Sequence, residues 1–167
     1  MPVASSVSFD VVSEFDRQEL VNALDQVRRE VGTRYDFKGA RVSIDLGEKD
    51  VTVVTDSEMR SAAIVDLIGS KAIRRGLSLK VFDWGPVVPA GGMTFKQVAV
   101  LQQGLPEDVA KKITKLLRDE FPKARGQIQG GAVRVSGKSK DELQAVIARL
   151  RDVGEDYPVA LQFKNYR

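Results

Sequence analysis

The sequence predicts an α+β protein of two similar units, each a four-stranded antiparallel sheet with two helices on one face. Three observations carry this reading. Apolar residues recur at helical spacing in four segments, and alternating apolar runs flank and separate those segments. The order of the two kinds of run, βαββαβ, occurs twice in 167 residues.

Ser6 to Ser13 alternates as a strand. Asp16 and Glu19 then form a capping-box pattern ahead of Leu20, Leu24, Val27 and Val31, which share one helix face, and Gly32 is read as the stop. Val42, Ile44 and Leu46 alternate, as do Val51 and Val53, and the polar "GEKD" between them suits a hairpin turn. Asp56 or Ser57 caps a second helix carrying Ala63, Ile64, Leu67 and Ile68, which Gly76 closes before a strand from Leu77 to Phe82. "DWGPVVPAGG", Asp83 to Gly92, is rich in Pro and Gly and reads as a linker.

The pattern then returns. A strand from Thr94 to Gln102 precedes a helix with Pro106 in its first turn and Val109, Ile113, Leu116 and Leu117 on one side, stopped at Pro122. Two strands flank Gly130 and Gly131. Ser139 and Glu142 cap a helix bearing Leu143, Val146, Ile147 and Leu150; Gly154 ends it, and Val159 to Phe163 is the last strand. The expected domains are residues 1–90, including the linker 83–92, and 93–167, each a ferredoxin-like, RNP-like unit. Connectivity leaves open whether two such sheets exchange their first strands. Each sheet keeps one bare face, which either meets another surface or binds something.

Composition limits the chemistry. With no cysteine there are no disulfides, and no apolar run approaches the roughly 20 residues of a membrane helix. The start, "MPVASSVSFD", lacks the basic and apolar regions of a signal peptide, so a cytoplasmic protein is expected. The absence of histidine and cysteine removes the usual general base, the thiol nucleophile and the common zinc ligands. Asp16 with Glu19, Glu107 with Asp108 and Asp119 with Glu120 lie at helix ends or beside basic residues, where capping and solvated charge explain them. No catalytic constellation, metal site or cofactor is expected. Residues 1–91 hold 12 Lys and Arg against 14 Asp and Glu, whereas residues 92–167 hold 14 against 9, so the second half is expected to attract an anion.

"GAVRVSGKS", Gly131 to Ser139, ends like a phosphate-binding loop, but five residues rather than four separate its glycines and four of them read as a strand. Gly137, Lys138 and Ser139 still lead into a capped helix whose N–H groups, beside Lys138, suit one phosphate as well as a simple cap. The βαββαβ order is also that of RNA-recognition modules, which stack bases on aromatics of the first and third strands. Here the third strands, "VTVVT" and "AVRVS", have none, and the first strands offer only Phe9 and Phe95.

Four groups of cations and aromatics remain. The first is Arg34, Tyr35, Asp36, Phe37 and Lys38, between the first helix and the hairpin; it reads as a connector whose aromatics anchor in the core and whose cations reach a ligand. Lys71, Arg74 and Arg75 complement a helix C-terminus. Trp84 in the linker is a plug or a stacking plate. The fourth comprises Lys111, Lys112, Lys115 and Arg118, which oppose an apolar stripe and read as a solvated face, then Arg125, Arg134, Lys138, Lys140 and the closing "QFKNYR". Arg134 alternates against Val133 and Val135, so it lies on the sheet face away from the helices, where a buried arginine needs an anionic partner.

"FDVVSE", "RYDFKG", "QIQGGAVRVSGK", "DELQAV" and "QFKNYR", in this order over nearly the whole chain, together resemble the YajQ family of bacterial proteins. The resemblance implies tandem RNP-like domains without enzymatic activity that bind a nucleotide, with some members acting as cyclic di-GMP effectors that partner a transcriptional regulator. The chain departs at Lys140, where the family often has arginine, and in the acid- and proline-rich "DEFPKARGQIQ".

The combined expectation is a guanine nucleotide, cyclic di-GMP or GTP-like, held between the two units. Arg125, Arg134 and Lys138 would take phosphates; Trp84, Tyr35 or Phe37 would stack on a base; Asp36 would accept from a guanine edge; Arg34, Lys38, Arg74, Arg75, Lys140 and Arg167 are further contacts. The alternatives are a single-stranded nucleic-acid or RNA binder using the basic second half as a track, and a protein-interaction scaffold.

Overall fold

The computed structural model describes residues 6–167 and contains two antiparallel sheets and four helices, an α+β fold consistent with two ferredoxin-like domains. Strand β1 (Val7–Val12) is followed by helix α1 (Arg17–Thr33), the hairpin β2 (Val42–Leu46) and β3 (Asp50–Thr55), and helix α2 (Glu58–Arg74). Then come β4 (Phe82–Trp84), β5 (Val88–Ala90) and the long β6 (Thr94–Leu101). Helix α3 (Glu107–Glu120), the hairpin β7 (Arg125–Gln129) and β8 (Ala132–Gly137), helix α4 (Lys140–Gly154) and β9 (Gln162–Lys164) complete the chain.

The helices start where local chemistry says they should. Asp16 accepts from the N–H groups of Gln18 and Glu19, Ser57 from that of Arg60 and Ser139 from that of Glu142, each satisfying donors that a first turn leaves open. Gly76, at φ +81, closes α2 as expected. Gly32 does not stop α1: the helix runs on to Thr33 and ends because Arg34 is extended, its N–H donating to the Glu30 carbonyl at 2.9 Å. Gly154 is likewise the last helical residue of α4, with Glu155 as its cap.

Two other expectations are displaced. Residues 79–81 form a 3₁₀ turn, with Ser78 accepting from Lys80 N–H, so the strand expected from Leu77 begins only at Phe82. The 83–92 segment is not a free linker: β4 pairs with the C-terminal end of β6 and β5 with its N-terminal end, and Gly85 N–H donates to Val98 O between them. Pro89 is tolerated because β5 lies at a sheet edge. The last strand also shifts, from 159–163 to Gln162–Lys164.

The hydrogen-bonding order shows what connectivity left open. One sheet runs β7-β8-β1-β9 and the other β2-β3-β6-β4, with β5 also on β6. Both follow the ferredoxin-like order, but each takes its first strand from the other half of the chain. The compact units are therefore Phe15–Gln102, here the contiguous unit, and Gln103–Arg167 with the residues up to Glu14, here the composite unit, rather than halves meeting near residue 90.

Each unit has its own core. In the contiguous unit Leu24, Val27, Ile64 and Ile68 of the helices pack on Val51, Val53 and Ala99 of the sheet, all fully buried. In the composite unit Val109, Ile113, Val146 and Leu150 pack on Phe9, Val11, Val133 and Val135. Gly126 lets β7 approach α3: a Cβ there would lie 2.7 Å from Leu117 Cδ1 and 3.3 Å from Thr114 Cγ2. No helix among the described residues is long and apolar enough to cross a membrane.

Candidate functional site

The exchange changes the charge argument. The composite unit holds 13 Lys and Arg against 11 Asp and Glu, and the contiguous unit 13 against 12, so the imbalance between chain halves is nearly erased. The reason is visible at two residues that come in with β1. Asp10 stands directly opposite Arg134 across β1 and β8, and its carboxylate accepts from Arg134 Nε at 2.9 Å. Glu14 accepts from Lys164 Nζ at 2.6 Å. Arg134 is thus on the face away from the helices, as expected, but its charge is already met by an internal carboxylate. Asn165 Nδ2 also donates to Asp10, at 2.8 Å. Hydrogen bonding from Arg134, aided by that from Asn165, holds the Asp10 carboxyl below the usual range against the opposing effect of burial.

That network sets up a site nearby. Asn165 takes a left-handed conformation, φ +59, and its side chain is tied to Asp10; beyond it, Arg167 exchanges two backbone hydrogen bonds with Ser8, at 2.9 and 3.1 Å. This turn sets Tyr166 over Phe9, ring centroids 6.1 Å apart and planes at 30°, with Tyr166 still 56% exposed. Tyr166 and Arg167 then line a hollow of about 270 Å³ together with Val7, Ser8 and, from the first turns of α4, Lys140, Leu143 and Gln144. An open aromatic face, two cations, a carboxamide and an apolar floor are the groups a nucleotide requires. Lys138 is exposed at the strand–helix junction two residues before Lys140. Ser139 Oγ, however, is occupied by the Glu142 N–H at 3.1 Å.

The other expected residues disperse. In the 35–37 turn Phe37 enters the core at 4% exposure, so it is no stacking plate, whereas Tyr35 is 88% exposed and anchors nothing. The reason is the three-residue 3₁₀ turn, which sends the two rings in different directions. Arg34 is bidentate to Asp36, at 2.9 and 2.7 Å, and lies 5.4 Å from the Phe37 ring centroid, so the Asp36 carboxylate is engaged and its carboxyl held low by that pairing. Arg75 bonds to Gln26 at 3.0 Å and lies 3.6 Å from Glu19, fastening α2 to α1, while Arg74 sits in the last turn of α2. Trp84 is half-buried on β4, stacked on Phe82 at 6.0 Å, and borders a hollow of about 420 Å³ with Val65, Ile73 and Leu79.

Two grooves occupy corresponding places in the two units. One, about 640 Å³, lies between α1 and β2 and includes Arg28, Val31, Phe37 and Lys38. The other, about 720 Å³, lies between α3 and β7 and includes Thr114, Leu117, Arg118, Lys123 and Arg125. Neither holds an exposed aromatic among the described residues. Asp10 and Tyr166 were not singled out from the sequence; Asp10 had the same alternation signal as Arg134, and Tyr166 lay inside "QFKNYR" without periodicity to orient it.

The family model described as nucleotide-binding protein YajQ-like matches residues 7–167. A relative from Roseiflexus castenholzii, named a nucleotide-binding protein, is 55% identical over all 167 residues, the whole of both chains. Another of the same name from Trichormus variabilis is 53% identical over 165 residues, 99% of this chain and all of its own.

Proposed function

The chain belongs to the YajQ-like family of nucleotide-binding proteins, and from that premise we propose that it binds a guanine nucleotide, cyclic di-GMP first among them, at the Tyr166 hollow without chemically changing it. The carrying observation is the half-exposed Tyr166 ring held beside Lys140 and Arg167. A base stacks on Tyr166, an interaction worth about 1–3 kcal/mol for an aromatic plate. Lys140 and Arg167 take phosphate oxygens through charge-assisted hydrogen bonds, Lys138 adds a third cation, and Gln144 offers its carboxamide to the base edge. At about 270 Å³ the hollow is just below the usual span of small-molecule sites, which suits one half of a cyclic dinucleotide. In this reading the protein works in the cytoplasm, and a transcriptional regulator reads its bound state.

A single-stranded nucleic-acid track is the second reading, favoured by Lys112, Lys115, Arg118, Lys123 and Arg125, which have no ion-pair partner among the described residues. Base stacking across the sheets does not support it, because Phe9 is core and Phe95 is in register with the buried Thr55. Titration calorimetry with cyclic di-GMP, GTP and a short single-stranded RNA at two salt concentrations separates the readings. Cyclic di-GMP is expected to give saturable heat with a shallow salt dependence, and Tyr166→Ala and Lys140→Ala each to weaken it about tenfold or more. No heat from either nucleotide, or undiminished binding by both variants, overturns the proposal; steep salt dependence with RNA alone supports the track.

A further inference from the structure

The two grooves differ in how their edge strands are covered. Arg28, Val31 and Gly32 on α1 and Thr114, Leu117 and Arg118 on α3 hold the same spacing and line the same side of their grooves. On the contiguous unit Arg28 reaches across and donates through Nε and Nη2 to the carbonyl of Ile44, an outward-facing group of the edge strand β2, with the Nε contact at 3.1 Å. On the composite unit Thr114 stands in that place and turns its hydroxyl back to Lys111 O at 3.0 Å. The edge strand β7 is therefore left uncovered. Among the described residues it pairs only with β8; it contains no proline and exposes 44% of Ile128. Alternate residues of such an edge present backbone N–H and C=O groups to any extended chain that arrives. Arg118, Lys123 and Arg125 border the groove, and none has an ion-pair partner among the described residues.

We infer that the open edge of β7 is a docking strand for an acidic, extended segment of a partner protein. The segment adds as a fifth strand beside β7, its backbone satisfying the open groups and its carboxylates meeting Arg118, Lys123 and Arg125. Charge complementarity selects an acidic occupant, and the missing counterpart of Arg28 selects β7 over β2.

The test uses the full chain and a labelled peptide of alternating valine and glutamate, with a valine–lysine peptide as control. The acidic peptide is expected to bind saturably and to slow amide exchange in residues 125–129, and Arg118→Glu to weaken it at least tenfold. Thr114→Arg is the decisive variant, since it restores the plug found on α1 while adding positive charge. Edge pairing requires that it lose at least tenfold in affinity, with its melting temperature checked for intact folding. Equal or tighter binding by Thr114→Arg, which simple charge attraction requires, overturns the inference. So does failure of the acidic peptide to bind the unmodified chain, or concentration-dependent protection of 125–129 without peptide, which would make a second copy the occupant. Because cyclic di-GMP binding does not involve β7, it is expected to survive Thr114→Arg.

Discussion

Asp10 and Arg134 face each other across β1 and β8, and what they do together follows from charge and position. Asp10 is 8% exposed and accepts from both Arg134 and Asn165. Removing the carboxylate in Asp10→Ala strips charged hydrogen bonds from a nearly buried place, an expected loss of roughly 2 kcal/mol in denaturant unfolding. The same contact sets an acid limb. Because the folded carboxyl is held below its unfolded value, its stabilisation is complete above an unfolded pKa of about 3.9 and is lost as pH falls through the lower folded pKa. The gap in melting temperature between the wild type and Asp10→Asn is thus expected to be constant near neutrality and to close below about pH 4. Arg134→Ala should also weaken nucleotide binding, by removing the guanidinium that orients Asp10, the acceptor to which the Asn165 turn presenting Tyr166 is tied; unchanged affinity would confine Arg134 to stability. That Arg134 needed an anion was legible from the alternation of "AVRVS". Which anion was not, because the answer depended on a strand 124 residues away.

At the scale of elements, periodicity and caps were read well where they are local. The side chains of Asp16, Ser57 and Ser139 bond the first-turn amides as the sequence pattern required. Short segments were read less well, because three residues cannot display a period: residues 79–81 form a 3₁₀ turn, and β4 and β5 lie inside what composition marked as a linker. The same limit hid the split between Tyr35 and Phe37. Gly126 shows what an element can demand of one residue. Its absent side chain makes room for Leu117, which is 1% exposed and cannot move aside cheaply. Gly126→Ala is expected to cost about 1–3 kcal/mol as overpacking, measured as a lower denaturation midpoint with unchanged slope.

For the molecule as a whole, similarity between the repeats made the fold class legible and concealed the strand exchange, since the order of elements along the chain is the same whichever sheet takes each first strand. Fragments expose the difference. Residues 15–102 hold every strand of their sheet and are expected to unfold cooperatively as an isolated piece, whereas 1–90 lacks β6, the strand joining β3 to β4, and is expected to remain without a sharp transition by circular dichroism. A cooperative 1–90 fragment would mean that β1 can replace β6. The exchange also orders events as the chain leaves the ribosome. Strand β1 is made before the whole contiguous unit and its partners β8 and β9 after it, so it waits unpaired while that unit forms behind it. Its apolar run, Phe9, Val11 and Val12, spends that interval without a sheet, and a strand synthesised ahead of its partners is among the last to find its place.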